Sequence, residues 1–168
     1  MIQMKTCIIY ASNNGTTRKI AKALADKIKG EVETIPIAKA KSACLLKYDF
    51  VIIAGSIHYG RIQGEIKSFV NKNYKTILGI NYGLFISCIY EDKVEEYLVK
   101  SFSEEIVKSA FITASFGGEV DPNKGNFITK KMIKTILKSF EEENKEAPHI
   151  DWEKVDEFAN EINEKINK

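Results

Sequence analysis

Two kinds of segment alternate along the chain. Short runs of β-branched apolar residues are separated by longer stretches in which apolar residues recur at helical spacing among lysines and glutamates. The short runs predict five β-strands, at residues 6–10, 31–37, 50–54, 83–88 and 109–114. The longer stretches predict helices at residues 16–28, 39–46, 64–73, 94–102, 127–140 and 151–166. Strand and helix therefore alternate from one end of the chain to the other.

This alternation predicts an α/β fold with three layers, doubly wound, in which a five-stranded parallel sheet of order 2-1-3-4-5 carries helices on both faces. The uninterrupted apolar run at residues 50–54 is typical of a central strand that is covered on both sides. No linker or repeat breaks the pattern, so residues 1–168 are expected to form a single domain. In this fold class ligands bind at the carboxyl ends of the strands, where the strand order reverses.

The predicted helix at residues 127–140 separates apolar from basic side chains. Its apolar positions are Ile128, Met132, Ile133, Ile136 and Phe140, and its basic positions are Lys130, Lys131, Lys134 and Lys138. We expect the apolar face to pack on the sheet. The pattern is also compatible with a peripheral contact to an anionic membrane surface, although the acidic run that follows, residues 141–143, would oppose such a contact.

Composition narrows the functional classes. Hydrophobic residues make up 44% and charged residues 29% of the chain, and no apolar run approaches the roughly 20 residues of a membrane span, so we expect a cytoplasmic protein. The three cysteines are widely spaced, which indicates neither a disulfide framework nor a metal site. A net charge of only +2, spread along the chain, predicts no nucleic-acid partner.

The loop after the first predicted strand is built from small polar residues and opens directly into a helix. Its members are Ser12, Asn13, Asn14, Gly15, Thr16 and Thr17. Backbone N–H groups at a helix start and nearby hydroxyls suit a phosphate group. The loop matches neither a Walker A motif nor a dinucleotide fingerprint, so a monophosphate is the better ligand. A plain strand-to-helix turn with a capping side chain explains the same residues equally well.

The loop after the third strand places aromatic and imidazole rings between glycines. Its candidate residues are Ser56, Ile57, His58, Tyr59 and Gly60. Tyr59 could stack on a planar ring, and Gly60 allows its peptide to reorient. Taken alone, these residues are more simply explained as an ordinary surface loop.

Two further loops belong to the same predicted edge. The loop after strand four contributes Ser87, Cys88, Ile89 and Tyr90, with Tyr90 either a stacking partner or a peripheral core aromatic. The glycine-rich stretch at residues 115–122 suits a substrate entrance. Arg18 and Arg61 each follow a candidate loop and could meet a phosphate or a carboxylate, or could simply be solvated.

With these loops in place, the sequence resembles the flavodoxin superfamily, and most closely the FMN-dependent, menaquinone-linked protoporphyrinogen IX dehydrogenase family. The resemblance rests on residues 12–17, on residues 48–60 and on Asp151-Trp152-Glu153 before the last helix. It implies a flavodoxin-like fold with non-covalently bound FMN. By this resemblance residues 12–17 hold the phosphate, residues 56–60 line the isoalloxazine, and residues 87–90 face its other side.

The resemblance leaves three functional hypotheses. The first is an FMN oxidoreductase that passes electrons to a quinone or another small-molecule acceptor. The second is an electron carrier that docks with a redox partner protein, although such carriers are typically acidic and this chain is slightly basic. The third is an interaction module without a cofactor. No acid–base dyad or nucleophilic triad is apparent, and the segment after strand four is shorter than in the dehydrogenases.

Overall fold

The computed structural model describes residues 3–166 and Lys168. Its strands are β1 (Lys5–Tyr10), β2 (Glu31–Pro36), β3 (Phe50–His58), β4 (Arg61–Ile62), β5 (Tyr82–Ser87) and β6 (Ile112–Ser115). Its helices are α1 (Thr16–Lys27), α2 (Gly64–Lys72), α3 (Tyr74–Leu78), α4 (Val94–Phe102), α5 (Glu104–Ser109), α6 (Phe127–Glu142) and α7 (Trp152–Ile166). Short 3₁₀ turns at Ile37–Lys39 and Ser42–Leu46 replace the helix predicted for residues 39–46.

The sheet has the order β2-β1-β3-β5-β6, and every neighbouring pair on this path is parallel. The doubly wound fold is thereby confirmed. The strand order reverses between β1 and β3, so the loops after these two strands flank the reversal. The described residues contain six strands and not the predicted five, because the two residues of β4 turn back and pair antiparallel with the end of β3.

Two hydrophobic cores lie on opposite faces of the sheet because successive side chains of a strand point in opposite directions. In β3, Ile53 belongs to the core shared with α2, α3, α4 and α5, whereas Ile52 belongs to the core shared with α1 and α7. Both isoleucines are fully buried, as the uninterrupted apolar run predicted. β3 is thus the central strand of the sheet and is covered on both faces.

The start of the last helix follows its predicted signals. The Asp151 carboxylate accepts a hydrogen bond from the Lys154 N–H at 3.1 Å, and Ile150 and Val155 are both buried on either side of it. The Asp151 N–H in turn donates to the Phe116 carbonyl at 2.8 Å, which fixes the helix start against the end of β6.

The last strand lies a few residues away from its predicted position. Residues 109–114 were predicted as a strand, but Ser109 ends α5 and β6 begins only at Ile112. The Ser103 hydroxyl caps α5 by accepting from the Ile106 N–H, and Ile106 is buried. Capping and burial together favour a helical turn over the strand that β-branched composition alone predicted.

The expected packing of α6 on the sheet was wrong. The chain leaves the sheet after Gly117 and returns at Ile150, where these two residues form an isolated antiparallel bridge; we call residues 118–149 the strap. No residue of α6 is buried, and Ile128 is 75% exposed. The Asn126 side chain starts the helix by accepting from the Thr129 N–H at 2.9 Å.

None of the helices within the described part of the chain combines the length and the apolar character that crossing a bilayer requires.

Candidate functional site

One cavity of about 1120 Å³ opens at the carboxyl ends of the strands, between the loops and the strap. It brings together thirteen of the predicted site residues: Ser12, Asn13, Asn14, Thr16, Ser56, Ile57, His58, Tyr59, Gly60, Ser87, Cys88, Ile89 and Tyr90. Gly15 and Thr17, the other two predicted residues, are not among the residues that line the cavity. Three loops that are far apart in sequence thus share one concave surface.

Ser12 shapes the first loop. Its hydroxyl oxygen accepts hydrogen bonds from the Gly15 N–H at 3.1 Å and from the Arg18 N–H at 3.3 Å. Gly15 has a φ of 92°, a left-handed conformation that favours glycine, and no atom lies within 4 Å of the position that a Cβ would take there. The loop therefore bends sharply and leaves open space at its bend.

The start of α1 retains donors for an anion. Within the described residues, the backbone N–H groups of Thr16 and Thr17 have no hydrogen-bond acceptor. Thr17 is fully buried and does not line the cavity, whereas Thr16 is partly exposed and does. The unpaired N–H group of Thr16, at the positive end of a helix dipole and beside the Thr16 hydroxyl, fits the phosphate of FMN.

The side chain of Thr17 joins two loops. Its hydroxyl lies 3.1 Å from the Ser87 hydroxyl, and both residues are buried. This contact connects the start of α1 to the end of β5. Thr17 therefore acts by positioning the residues around it.

A tight hairpin turn forms the rim of the cavity. His58 pairs with Arg61 across the turn, and the two residues between them, Tyr59 and Gly60, have φ values of 51° and 73°. Positive φ at both central residues is the pattern of a type I′ hairpin turn. The turn leaves Tyr59 84% exposed, at the edge of the cavity. Positive φ is uncommon for a bulky residue, so the hairpin imposes it.

Three polar side chains form a hydrogen-bonded cluster in the wall of the cavity. The Ser56 hydroxyl lies 2.8 Å from His58 Nε2 and 2.6 Å from Gln63 Nε2. Burial lowers the pKa of His58 below its usual value, so the ring is neutral at pH 7. Gln63 was not a predicted site residue, because it follows the hairpin in sequence and only the β3–β4 pairing brings it back to Ser56.

The strap supplies the apolar wall opposite the loops. Met132, Ile133 and Ile136 of α6 line the cavity. Tyr90 lies with its ring centroid 6.0 Å from that of Phe140, which joins the loop after β5 to the end of α6. Sequence periodicity had identified this apolar face but assigned it to the sheet.

The charged residues of the cavity do not include the two arginines, which are exposed as the solvated alternative predicted. Neither Arg18 nor Arg61 lines it, whereas Lys19, Lys124, Glu119, Asp121 and His149 do. Lys19 forms a salt bridge with Glu119 at 2.7 Å, which links α1 to the strap. No sequence signal distinguishes Lys19 from the many other lysines. Its role depends on the return of the strap across the loops.

Cys88 is the one cysteine in the cavity lining. Burial raises the pKa of its thiol, and its Sγ lies 3.4 Å from the Tyr90 carbonyl. The thiol form is therefore favoured, which suits a packing residue and not a nucleophile.

Comparison with known proteins agrees with this geometry. A flavodoxin domain family model matches residues 7–147. The protoporphyrinogen IX dehydrogenase [quinone] of Escherichia coli strain K12 is 26% identical over 171 aligned positions, which cover 95% of this chain and 94% of that protein. Among solved structures, a short-chain flavodoxin associated with a PDU bacterial microcompartment has a TM-score of 0.60 at 16% identity, over 96% of this chain and 98% of that one. A flavodoxin from the domain Archaea has a TM-score of 0.58 at 15% identity, over 98% of this chain and 100% of that one.

Proposed function

The chain belongs to the flavodoxin domain family and takes FMN as its cofactor, and on that premise we propose that it is an oxidoreductase related to protoporphyrinogen IX dehydrogenase that transfers electrons to a quinone-like acceptor. The observation that carries the proposal is the single cavity that joins the loops after β1, β3 and β5 beneath the strap. FMN supplies hydride and one-electron chemistry when it is bound. The residues of the chain bind the cofactor, surround its ring and admit a second reactant.

We assign the phosphate to the start of α1. The unpaired N–H group and the hydroxyl of Thr16 are the donors, and Ser12 holds the loop that carries them. Lys19 lies one turn along the helix and also lines the cavity, where its charge is paired with that of Glu119. Charge-assisted hydrogen bonds of this kind are about twice as strong as neutral ones.

The isoalloxazine ring is assigned to the space between the second and third loops. Ile57 and Tyr59 come from one side and Ile89 and Tyr90 from the other, and all four line the cavity. Apolar and aromatic walls exclude water and favour stacking with a planar ring.

The strap side of the cavity supports an enzyme in preference to a plain carrier. Met132, Ile133 and Ile136 give an apolar surface beyond the two loops, which suits a flat apolar molecule such as a quinone. The E. coli relative carries quinone in its name. The slightly basic net charge of +2 also differs from the acidic balance that is typical of electron carriers.

Flavin titration of the stripped protein tests the cofactor site. FMN should bind at least about 100-fold more tightly than riboflavin, since the phosphate makes several charge-assisted hydrogen bonds worth about 1.5–3 kcal/mol each. Thr16→Ala should reduce this preference for FMN, whereas Lys22→Ala, on an exposed part of the same helix, should not. Equal affinity for FMN and riboflavin would contradict the phosphate assignment.

Reoxidation of the reduced holoprotein tests the enzymatic part. Mixing with menadione should reoxidise the holoprotein rapidly. Ile136→Trp should slow that reaction by narrowing the strap side, while FMN affinity stays within about twofold, a change of less than 0.5 kcal/mol. If menadione does not react with the wild-type holoprotein, the enzyme proposal is wrong and the electron carrier becomes the better hypothesis.

A further inference from the structure

Gln63, Ser56 and His58 form a chain of hydrogen bonds that ends in the cavity. Gln63 Oε1 lies 2.9 Å from the Ser56 backbone nitrogen, and Gln63 Nε2 lies 2.6 Å from the Ser56 hydroxyl oxygen. His58 Nε2 lies 2.8 Å from the same hydroxyl oxygen. Ser56 and Gln63 are buried, and all the bonds lie between the end of β3 and the residue after β4.

The directions of these bonds follow from the backbone. The Ser56 N–H can only donate, so the amide atom of Gln63 beside it must be the oxygen. The other end of the amide is then the NH₂ group, which donates to the Ser56 hydroxyl oxygen. The side chain fits there because residue 55 is glycine, since a Cβ on Gly55 would lie 2.7 Å from Gln63 Oε1.

The direction of the Gln63–Ser56 hydrogen bond determines the direction of the Ser56–His58 hydrogen bond. Its oxygen already accepts from Gln63, and its own hydrogen needs an acceptor, because a buried donor without a partner is unfavourable. The only acceptor found for it among the described residues is His58 Nε2. A ring nitrogen that accepts carries no proton, so in the neutral ring the proton is on Nδ1.

The surroundings of His58 keep the ring neutral. Burial lowers its pKa, and no acidic side chain forms a hydrogen bond or ion pair with it among the described residues. The charged groups that line the same cavity are Lys19, Lys124, Glu119 and Asp121, whose formal charges cancel; the other titratable groups are Cys88, Tyr59, Tyr90, Tyr97 and His149. No further hydrogen bond to the His58 ring is found in the described part of the chain, so Nδ1–H is available to a ligand.

We propose that Gln63, acting through Ser56, holds His58 in the Nδ1–H tautomer, so that His58 presents one directed donor to a carbonyl oxygen or ring nitrogen of the planar molecule in the cavity. Gln63 and Ser56 are positioning residues, and His58 is the binding residue. Only the identity of the ligand rests on the proposed function. The tautomer belongs to the apoprotein and can be measured without any flavin.

The tautomer is measurable because the chain has only two histidines. Long-range ¹H–¹⁵N correlation spectra of the ¹⁵N-histidine-labelled apoprotein distinguish a protonated from an unprotonated ring nitrogen, and His149→Asn assigns the signals. We expect His58 with its proton on Nδ1, opposite to the Nε2–H form that free histidine prefers. A proton on Nε2 in the wild type would overturn the proposal.

Substitutions test whether the hydrogen bonds from Gln63 through Ser56 determine the tautomer of His58. In Gln63→Glu the carboxylate cannot donate to Ser56 and instead accepts its hydroxyl hydrogen, so the ring must donate from Nε2 and the tautomer should invert. Ser56→Ala should restore the preference of free histidine, and Ser56→Thr should keep the Nδ1–H form. An unchanged His58 tautomer in Ser56→Ala would contradict the role assigned to Ser56. If Gln63→Glu does not fold, as far-UV circular dichroism would show, the two Ser56 variants decide the question.

Ligand addition then locates the acceptor. A shift of the Nδ1–H signal on adding FMN alone places the acceptor on the cofactor, whereas a shift only after menadione is added to the holoprotein places it on the second molecule. His58→Ala should weaken binding of that ligand about two- to tenfold, the value of one net hydrogen bond. No shift with either ligand would overturn the ligand part of the proposal. Failure of FMN to bind at all would refute the proposed function and leave the apoprotein tautomer intact.

Discussion

At the scale of single residues, the two threonines at the start of α1 have different surroundings. Thr16 lines the cavity, whereas Thr17 is buried and its hydroxyl meets Ser87. The sequence shows two adjacent hydroxyls after a glycine and cannot show which of them points inward, because that depends on how α1 packs on the sheet. Composition therefore identified a loop that does line the cavity, but it could not assign a role to each side chain.

Thr17→Val should destabilise the fold. The substitution keeps the shape of the side chain and leaves the buried Ser87 hydroxyl without its partner, which costs about 1–3 kcal/mol. Urea unfolding monitored by circular dichroism measures this free energy. Thr135→Val, in an exposed part of α6, should change it by less than about 0.5 kcal/mol. Equal effects of the two substitutions would show that the Thr17–Ser87 contact does not contribute to stability.

His58 should make the stability of the apoprotein depend on pH. Burial lowers the pKa of His58 in the folded state, so below about pH 6.5 the unfolded chain binds a proton that the folded chain does not. Stability is therefore lost as the pH falls from about 6.5 through the lower pKa of the folded state. Urea unfolding between pH 7.5 and 5 should show a smaller loss of stability for His58→Asn than for the wild type, and an equal loss in the two proteins would contradict the prediction.

At the scale of elements, the hydrophobic pattern predicted the strands well and the environment of one helix poorly. The run at residues 50–54 became the buried centre of β3, because a strand covered on both faces leaves a distinctive sequence. The apolar stripe of α6 has the same period as that of a packed helix. Only the three-dimensional path of the strap reveals that this stripe lines a cavity. Periodicity identifies an apolar face but not what covers it.

The hairpin that carries Tyr59 was beyond sequence analysis for a related reason. Residues 56–60 were predicted as a loop, whereas β3 continues through His58 and pairs with Arg61–Ile62. Two residues of pairing are too short to leave a period in the sequence. As a result, the sequence did not predict that Gln63 contacts Ser56.

Gly117→Ala should loosen the base of the strap. Gly117 has a φ of 72°, and a Cβ there would lie 2.3 Å from the His149 carbonyl oxygen. The left-handed conformation alone costs about 1–2 kcal/mol for a residue with a Cβ, and the clash adds to it. Gly64→Ala is the matched control, because no atom lies within 4 Å of its Cβ position and its φ is negative.

Urea unfolding and FMN titration measure the effect of both glycine variants. Gly117→Ala should lose stability and bind FMN more weakly, while Gly64→Ala should be neutral or gain about 0.4–1 kcal/mol. If the two variants behave alike, the closed base of the strap does not matter for the cavity.

At the scale of the whole molecule, the sheet and the strap should differ in local stability. Amides of α7, whose Val155, Phe158 and Ile162 are buried, should exchange hydrogen slowly, whereas those of α6, which has no buried residue, should exchange much faster. The two helices have similar lengths, of 15 and 16 residues, which makes the comparison direct. Hydrogen–deuterium exchange with mass spectrometry measures both, and FMN should slow exchange in α6. Equal protection of α6 and α7 in the apoprotein would contradict this assignment.

The bridge between Gly117 and Ile150 also indicates where proteins of this fold can vary. The chain leaves and re-enters the fold at adjacent points, and the Gly118 N–H donates to the His149 carbonyl at 3.2 Å. A segment whose two ends are adjacent is an insertion, and a strap of a different length could replace it without changing the connections between the strands. Replacing the strap at this one junction would therefore change the residues that contact a second reactant. The loops after β1, β3 and β5, which we assign to the cofactor, would stay unchanged.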